Sequence, residues 1–153
     1  MELLFDKYRP KKLDDIRYHK EIANILKTLD INNLPHILMY GPSGSGKKTL
    51  LYSFLGYTKK TRVIQKIKTS SSKEVPFTIY RNGTFIELDI KEMGMYCKFI
   101  IRDILKNMAE TKQVSNNLQK IIVLHHCELL NIESQFILNK ILETHSVNCK
   151  FIL

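Results

Sequence analysis

Tryptophan is absent from this 153-residue chain, and cysteine, proline and glycine are scarce, at 3, 4 and 6 residues. Cys97, Cys127 and Cys149 are odd in number and widely spaced, which excludes a disulfide framework and fits reduced thiols in a cytosolic or nuclear protein. No zinc-binding spacing links them. Also missing is any run of about 18 apolar residues, the length needed to cross a bilayer, so no membrane partner is expected. The first residues, Met1-Glu2-Leu3-Leu4-Phe5-Asp6-Lys7, carry acid early and lack the apolar core of a secretory signal. Acids are outnumbered, 15 against 24 Lys+Arg, for a formal charge of +9. That excess suits a polyanion such as nucleic acid, and equally a merely lysine-rich composition. At 44% hydrophobic residues, there is material for one domain with a buried core.

Half of the few glycines fall in one place. Gly41-Pro42-Ser43-Gly44-Ser45-Gly46-Lys47-Lys48-Thr49 nearly satisfies the phosphate-loop pattern G-x-x-x-x-G-K-[S/T]. Glycines let the backbone wrap tightly and turn its N–H groups inward, and the following helix adds partial positive charge for a triphosphate. Lys47 is placed to reach the β/γ phosphates of ATP or ADP. The hydroxyl that would hold magnesium is displaced, because Lys48 takes its position and Thr49 comes one residue late. The surroundings match the motif. Ile37-Leu38-Met39-Tyr40 reads as the strand before the loop, and Leu50, Leu51, Phe54 and Leu55 recur at helical spacing after it.

Along the chain, Phe5-Asp6-Lys7-Tyr8-Arg9-Pro10 reads as a structured arm stopped by proline. Between Tyr18 and Leu29, the stripe Ile22, Ile25, Leu26 and Leu29 predicts a helix with those residues inward. The alternation in Arg62–Lys68, followed by the polar turn Thr69–Lys73, predicts a peripheral hairpin. Val75–Tyr80 and Thr84–Ile90 read as strands joined at Arg81-Asn82-Gly83, where Asn-Gly is a hairpin-turn signal. Phe99, Ile100, Ile104, Leu105 and Met108 predict one long helix over Glu92–Lys112, and Ser115-Asn116-Asn117 a linker. The continuous run Ile121-Ile122-Val123-Leu124 suits a parallel strand buried on both faces. A helix over Glu133–Thr144, carrying Phe136, Ile137, Leu138 and Ile141, and a strand from Cys149 complete the pattern. The alternation implies an α/β three-layer sandwich with a parallel sheet. Closing on an apolar strand reads as a domain cut short.

Phosphate-loop ATPases place an aspartate and a glutamate at the end of a second apolar strand to orient magnesium and water. Here the strand ends in His125-His126-Cys127-Glu128, so imidazoles stand at the two acidic positions. Magnesium prefers oxygen ligands, and hydrolysis by this box is not expected. Glu128 comes too late to take the first position. A zinc reading of His125, His126 and Cys127 fails because neighbouring strand residues point to opposite faces and no second cluster supplies further ligands.

Together, the arm, the loop and the degenerate box resemble the N-terminal AAA+ domain of a small subunit of replication factor C, the sliding-clamp loader. The match runs through Asp6-Lys7-Tyr8-Arg9-Pro10, Tyr18-His19-Lys20-Glu21, Leu34-Pro35-His36 and the phosphate loop, in order and spacing. Lys48 in the hydroxyl position is a feature of the type of human subunit three and yeast subunit five. The resemblance covers residues 1–153, most strongly up to Thr49, as one AAA+ nucleotide-binding domain. It implies that Lys7, Tyr8, Arg9 and Pro10 lie by the adenine and ribose, and that Glu128 matches the last acid of the family's Asp-Glu-x-Asp box. The family's paired arginines fall on Asn139 and Lys140, and its sensor asparagine, arginine finger, helical lid and collar lie beyond Leu153. Implied partners are the other replication factor C subunits, the sliding clamp PCNA and primer-template DNA, in the nucleus. The expectation is a nucleotide-binding, non-hydrolysing loader subunit; the alternatives are an active ATPase using Glu128 or a partner's acid, and a degenerate scaffold of an alternative loader.

Overall fold

A computed structural model describes residues 7–56, 60–68, 74–82, 85–107 and 120–153. It divides into two compact units, Met1–Leu34 with Met39–Thr58, and Pro35–Leu38 with Lys59–Leu153.

The smaller unit holds a 3-10 turn at Leu13–Asp15, helix α1 (Lys20–Thr28), a second 3-10 turn at Ile31–Asn33 and helix α2 (Lys47–Leu55). In α2 every residue from Leu50 to Leu55 is buried, the signature of a helix enclosed on all sides. The expected stripe of α1 is only partly right. Leu26 is buried, but the residue buried with it is Ala23, while Ile22 and Ile25 are 44% and 61% exposed. Positions 22, 23, 25, 26 and 29 are all apolar, so periodicity allowed more than one inward face; the small Ala23 permits the closest approach and won.

The larger unit is built on a five-stranded sheet in the order β1-β2-β3-β4-β5, formed by Thr61–Lys68, Glu74–Asn82, Phe85–Asp89, Lys120–His125 and Cys149–Ile152. β3, β4 and β5 run parallel, while β1 and β2 join antiparallel at one side as the expected peripheral hairpin. β1 pairs only with β2 among the described strands, and turns Arg62, Ile64, Lys66 and Lys68 outward. The segment before the phosphate loop contributes less than a full strand. Ile37 alone bridges to Ile152, its N–H donating to Phe151 O at 2.9 Å and its carbonyl accepting from Leu153 N at 2.9 Å. Leu38 and Tyr40 are 72% and 92% exposed.

Ile121–Leu124 is buried throughout, as a central parallel strand requires. Around it the core gathers Ile79, Leu88, Ile100, Ile101 and Phe151. The expected single helix over 92–112 is a broken one. It starts earlier, as α3 (Ile90–Met93), because Asp89 caps it by accepting from Lys91 N at 2.9 Å. Gly94, at φ 52°, then leaves helical geometry, and a 3-10 turn (Gly94–Tyr96) leads into Cys97–Phe99 and a π-helical run, Ile100–Leu105. Met108 and the rest of that prediction lie outside the described residues, as do Asp6, the Thr69–Lys73 turn, Gly83 of the Asn-Gly pair and the Ser115-Asn116-Asn117 linker. Asn82 pairs with Phe85, so the strands flanking Gly83 are in hairpin register. The last helix, α4 (Ile132–Thr144), buries Ser134, Leu138 and Ile141; Phe136 is 71% exposed, because the inward stripe runs 134, 138, 141.

Candidate nucleotide site

The phosphate loop is in the conformation its glycines permit. Gly44 and Gly46 sit at φ 79° and 86°, where a side chain would be strained although neither has an atom within 4 Å of a Cβ position. Gly46 caps α2, and its carbonyl accepts from Leu50 N at 2.9 Å. Ser45 N donates to Pro42 O at 3.3 Å, closing the turn through Ser43. Lys47 lies back over this turn, its Nζ donating to Gly41 O at 2.7 Å and to Pro42 O at 2.9 Å. An ammonium over the loop, at the head of a nine-residue helix, is a donor set that suits phosphate. Lys48 is exposed and Thr49 half-buried.

The N-terminal arm is fastened to the same helix. Pro10 O accepts from the hydroxyl of buried Ser53 in α2 at 3.0 Å. Sequence reading did not single out Ser53, whose only signal was a polar residue on an otherwise apolar helix. Lys7 stacks its ammonium over Tyr8, 5.7 Å from the ring centre, and Tyr8 itself is 73% exposed. Arg9 and Pro10 are half-buried.

In the larger unit, the degenerate box is answered by carboxylates on the neighbouring strand. The register sets Glu87 beside Val123 and Asp89 beside His125. His125 donates from Nε2 to Glu87 Oε2 at 3.1 Å, and Lys60 donates to the same oxygen at 2.7 Å. Glu87 is only 2% exposed. Burial alone would raise its pKa, but the hydrogen bonds from His125 and Lys60, and their charges, outweigh burial and hold it below the usual glutamate range. His126 stands in the left-handed conformation, φ 58° and ψ 42°, and donates from Nδ1 to Asp89 Oδ1 at 2.8 Å. Glu128 follows in a 3-10 turn, Cys127–Leu129, and is exposed.

Neither Glu87 nor Asp89 was picked out from the sequence, where they looked like ordinary charges on a strand. Cys127 donates to Leu124 O at 3.3 Å, and burial pushes its thiol up to about 12. Asn139 and Lys140 are exposed on α4, and Asn139 donates to Glu143 at 3.0 Å. His36, part of the Leu-Pro-His signature, is a fastener. Its Nδ1 accepts from Phe151 N at 3.1 Å and its Nε2 donates to Leu142 O at 3.2 Å, an arrangement met by the neutral ring; burial lowers its pKa against the pull of that carbonyl.

Comparison with known proteins gives the family of the chain. A family model described as the Rad17 P-loop domain matches residues 1–150. Replication factor C subunit 5 of Neurospora crassa is 32% identical over 100% of this chain and 46% of the relative's length. Human replication factor C subunit 3 gives 32% over the same shares, and subunit 5 of Saccharomyces cerevisiae 31% over 100% of this chain and 48% of its own. The chain thus spans about half the length of the curated relatives it matches. With a phosphate loop heading α2 and a parallel β3-β4-β5 core, the chain has the α/β fold of a P-loop (AAA+) nucleotide-binding domain and belongs to the Rad17 P-loop domain family, similar along its whole length to replication factor C subunits.

Proposed function

We propose that residues 1–153 form the nucleotide-binding AAA+ domain of a clamp-loader subunit that holds ATP or ADP without hydrolysing it efficiently. The observation that carries this reading is the contrast between a complete phosphate cradle, Gly41 to Lys47, and a box whose acidic positions are His125 and His126, each donating to a carboxylate of β3. Lys47, the loop amides and Thr49 are the groups offered to phosphates, and Lys7 to Pro10 those offered to the base and ribose. Magnesium, where present, would shield phosphate charge, but Lys48 already brings a positive charge to the hydroxyl position, so retention is expected without it. The nucleotide then acts by binding: a ligand held only by the folded state at 100 times its Kd stabilises that state by about 2.7 kcal/mol.

The partners proposed are other replication factor C subunits, as the names of the relatives suggest, together with the sliding clamp PCNA and the backbone of primer-template DNA, in the nucleus. The charge of +9 supports a salt-dependent, sequence-independent DNA contact. The test is incubation of the purified chain with labelled ATP, with and without magnesium, scoring retained nucleotide and ADP. Retention in both conditions with no ADP is expected. ADP formation that Lys47→Ala abolishes would overturn the non-hydrolysing reading, and no retention at all would overturn nucleotide binding.

A further inference from the structure

Among the described residues, two that are not glycine adopt a positive φ, and one of them is His126 at the centre of the degenerate box. Histidine enters the left-handed region more readily than most residues, as exposed His19 also does, and what sets His126 apart is the side-chain bond it makes there. What holds this one is Asp89 Oδ1, at 2.8 Å from Nδ1. The same oxygen accepts from Lys91 N at 2.9 Å and so caps α3. One oxygen therefore serves two structures: the end of β4 and the start of the segment Lys91–Tyr96, which with Val75–Phe77 lines a groove of about 330 Å³.

We infer that Asp89 is a coupling residue, which ties the backbone of the degenerate box to the helix start beside that groove, so that position 126 cannot regain an acid unless Asp89 changes too. An acid at 126 would set two carboxylates at hydrogen-bond distance, where like charges repel and only the Lys91 amide is left to donate. Asp89 would swing away, and the cap on Lys91 would go with it. The substitution of acid by histidine is then a lock with a partner, and its reversal takes two steps. The inference does not depend on whether nucleotide is hydrolysed.

The test follows amide exchange by NMR in the 153-residue chain, comparing His126→Ala, His126→Glu, His126→Asn and the double variant Asp89→Asn/His126→Glu with the unaltered protein. In the Ala and Glu variants the Lys91 amide is expected to exchange about fivefold faster, the scale of a lost N-cap, while the amide of Leu138 in α4 is unchanged. Asparagine tolerates the left-handed region and keeps an N–H donor for Asp89, so His126→Asn should match the unaltered protein. In the double variant the new side-chain amide at position 89 can donate to the new carboxylate at position 126 while its oxygen still accepts from Lys91 N, so both the exchange rate and the melting temperature lost in His126→Glu should return. An unmoved Lys91 amide in His126→Ala, or Asp89→Asn adding to the loss instead of cancelling it, would overturn the coupling. Should His126→Glu fail to fold alone, the Ala and Asn variants still decide the matter through Lys91.

Discussion

The phosphate loop of the smaller unit and the histidine pair at the end of β4 in the larger unit differ in what their residues can offer a nucleotide. The loop keeps its glycines in left-handed geometry and its lysine above them. At the end of β4, His125 and His126 stand at the positions expected for acids, and each donates to a carboxylate of β3, Glu87 and Asp89. What the difference teaches is that binding and turnover rest on separable chemistry. Backbone amides and an ammonium hold phosphates by position and charge, whereas hydrolysis needs an oxygen ligand for the metal and a base for the water. The proposed function is the first kind of chemistry without the second.

That comparison can be broken at either half. The largest effect is expected from Glu87→Ala, which leaves Lys60 and His125 facing a site with no carboxylate; removing one partner of a buried charged network costs about 3–5 kcal/mol, read as a shift in urea midpoint. The pH dependence of the unaltered chain checks the same network. Because Glu87 has a lowered folded-state pKa, its contribution is present above the unfolded value of about 4.5 and is lost as pH falls through the folded value. Acid titration of Glu87→Gln should therefore be flatter below that pH.

Next comes Lys47→Ala, which removes the ammonium from the cradle and should weaken nucleotide retention about 100-fold, or roughly 2.7 kcal/mol, measured by equilibrium dialysis. Gly46→Ala should be milder. No atom lies within 4 Å of the new methyl group, so only the backbone at φ 86° is strained, at about 1–2 kcal/mol by thermal unfolding. Smallest of all is Lys48→Thr, at an exposed position. Its stability should stay within about 0.5 kcal/mol of the unaltered chain, while nucleotide retention becomes more dependent on magnesium because a hydroxyl has returned to the metal's side of the loop. Retention equally independent of magnesium in that variant would show that Lys48 does not set the ion requirement.

Much of this was legible in the residues. The phosphate loop, the strand Lys120–His125 and the hairpin of β1 and β2 were marked by local chemistry: a glycine-lysine spacing, an unbroken apolar run, and alternation. What local patterning left ambiguous was facing. Ile22 and Ile25 shared one apolar face by period and are outward in space, since an apolar residue on a helix can be left exposed at little cost when smaller or better-placed neighbours fill the core. The helix after β3 was misjudged for another reason. Its start is decided by the side chain of Asp89 and its break by Gly94, single-residue effects that a pattern over many residues averages away. The carboxylates that answer the two histidines were invisible for a third reason: their meaning arises only from the β3-β4 register, which brings positions 87 and 89 to positions 125 and 126 across 37 or 38 residues of chain.

The outer strand β1 has a consequence of its own. Its far side has no strand beside it among the described residues, and a rim of free backbone donors and acceptors invites another chain to add itself. Exposed Arg62, Lys66 and Lys68 stand on this strand, Arg62 donating to Thr78 and Lys66 to Glu74 of β2. A second copy docking there would bring the cationic side chains of two such strands near one another, which disfavours pairing. Lys66→Val would join a new apolar side chain to exposed Ile64, and the expected result is a chain that folds as before but comes out of solution at lower concentration.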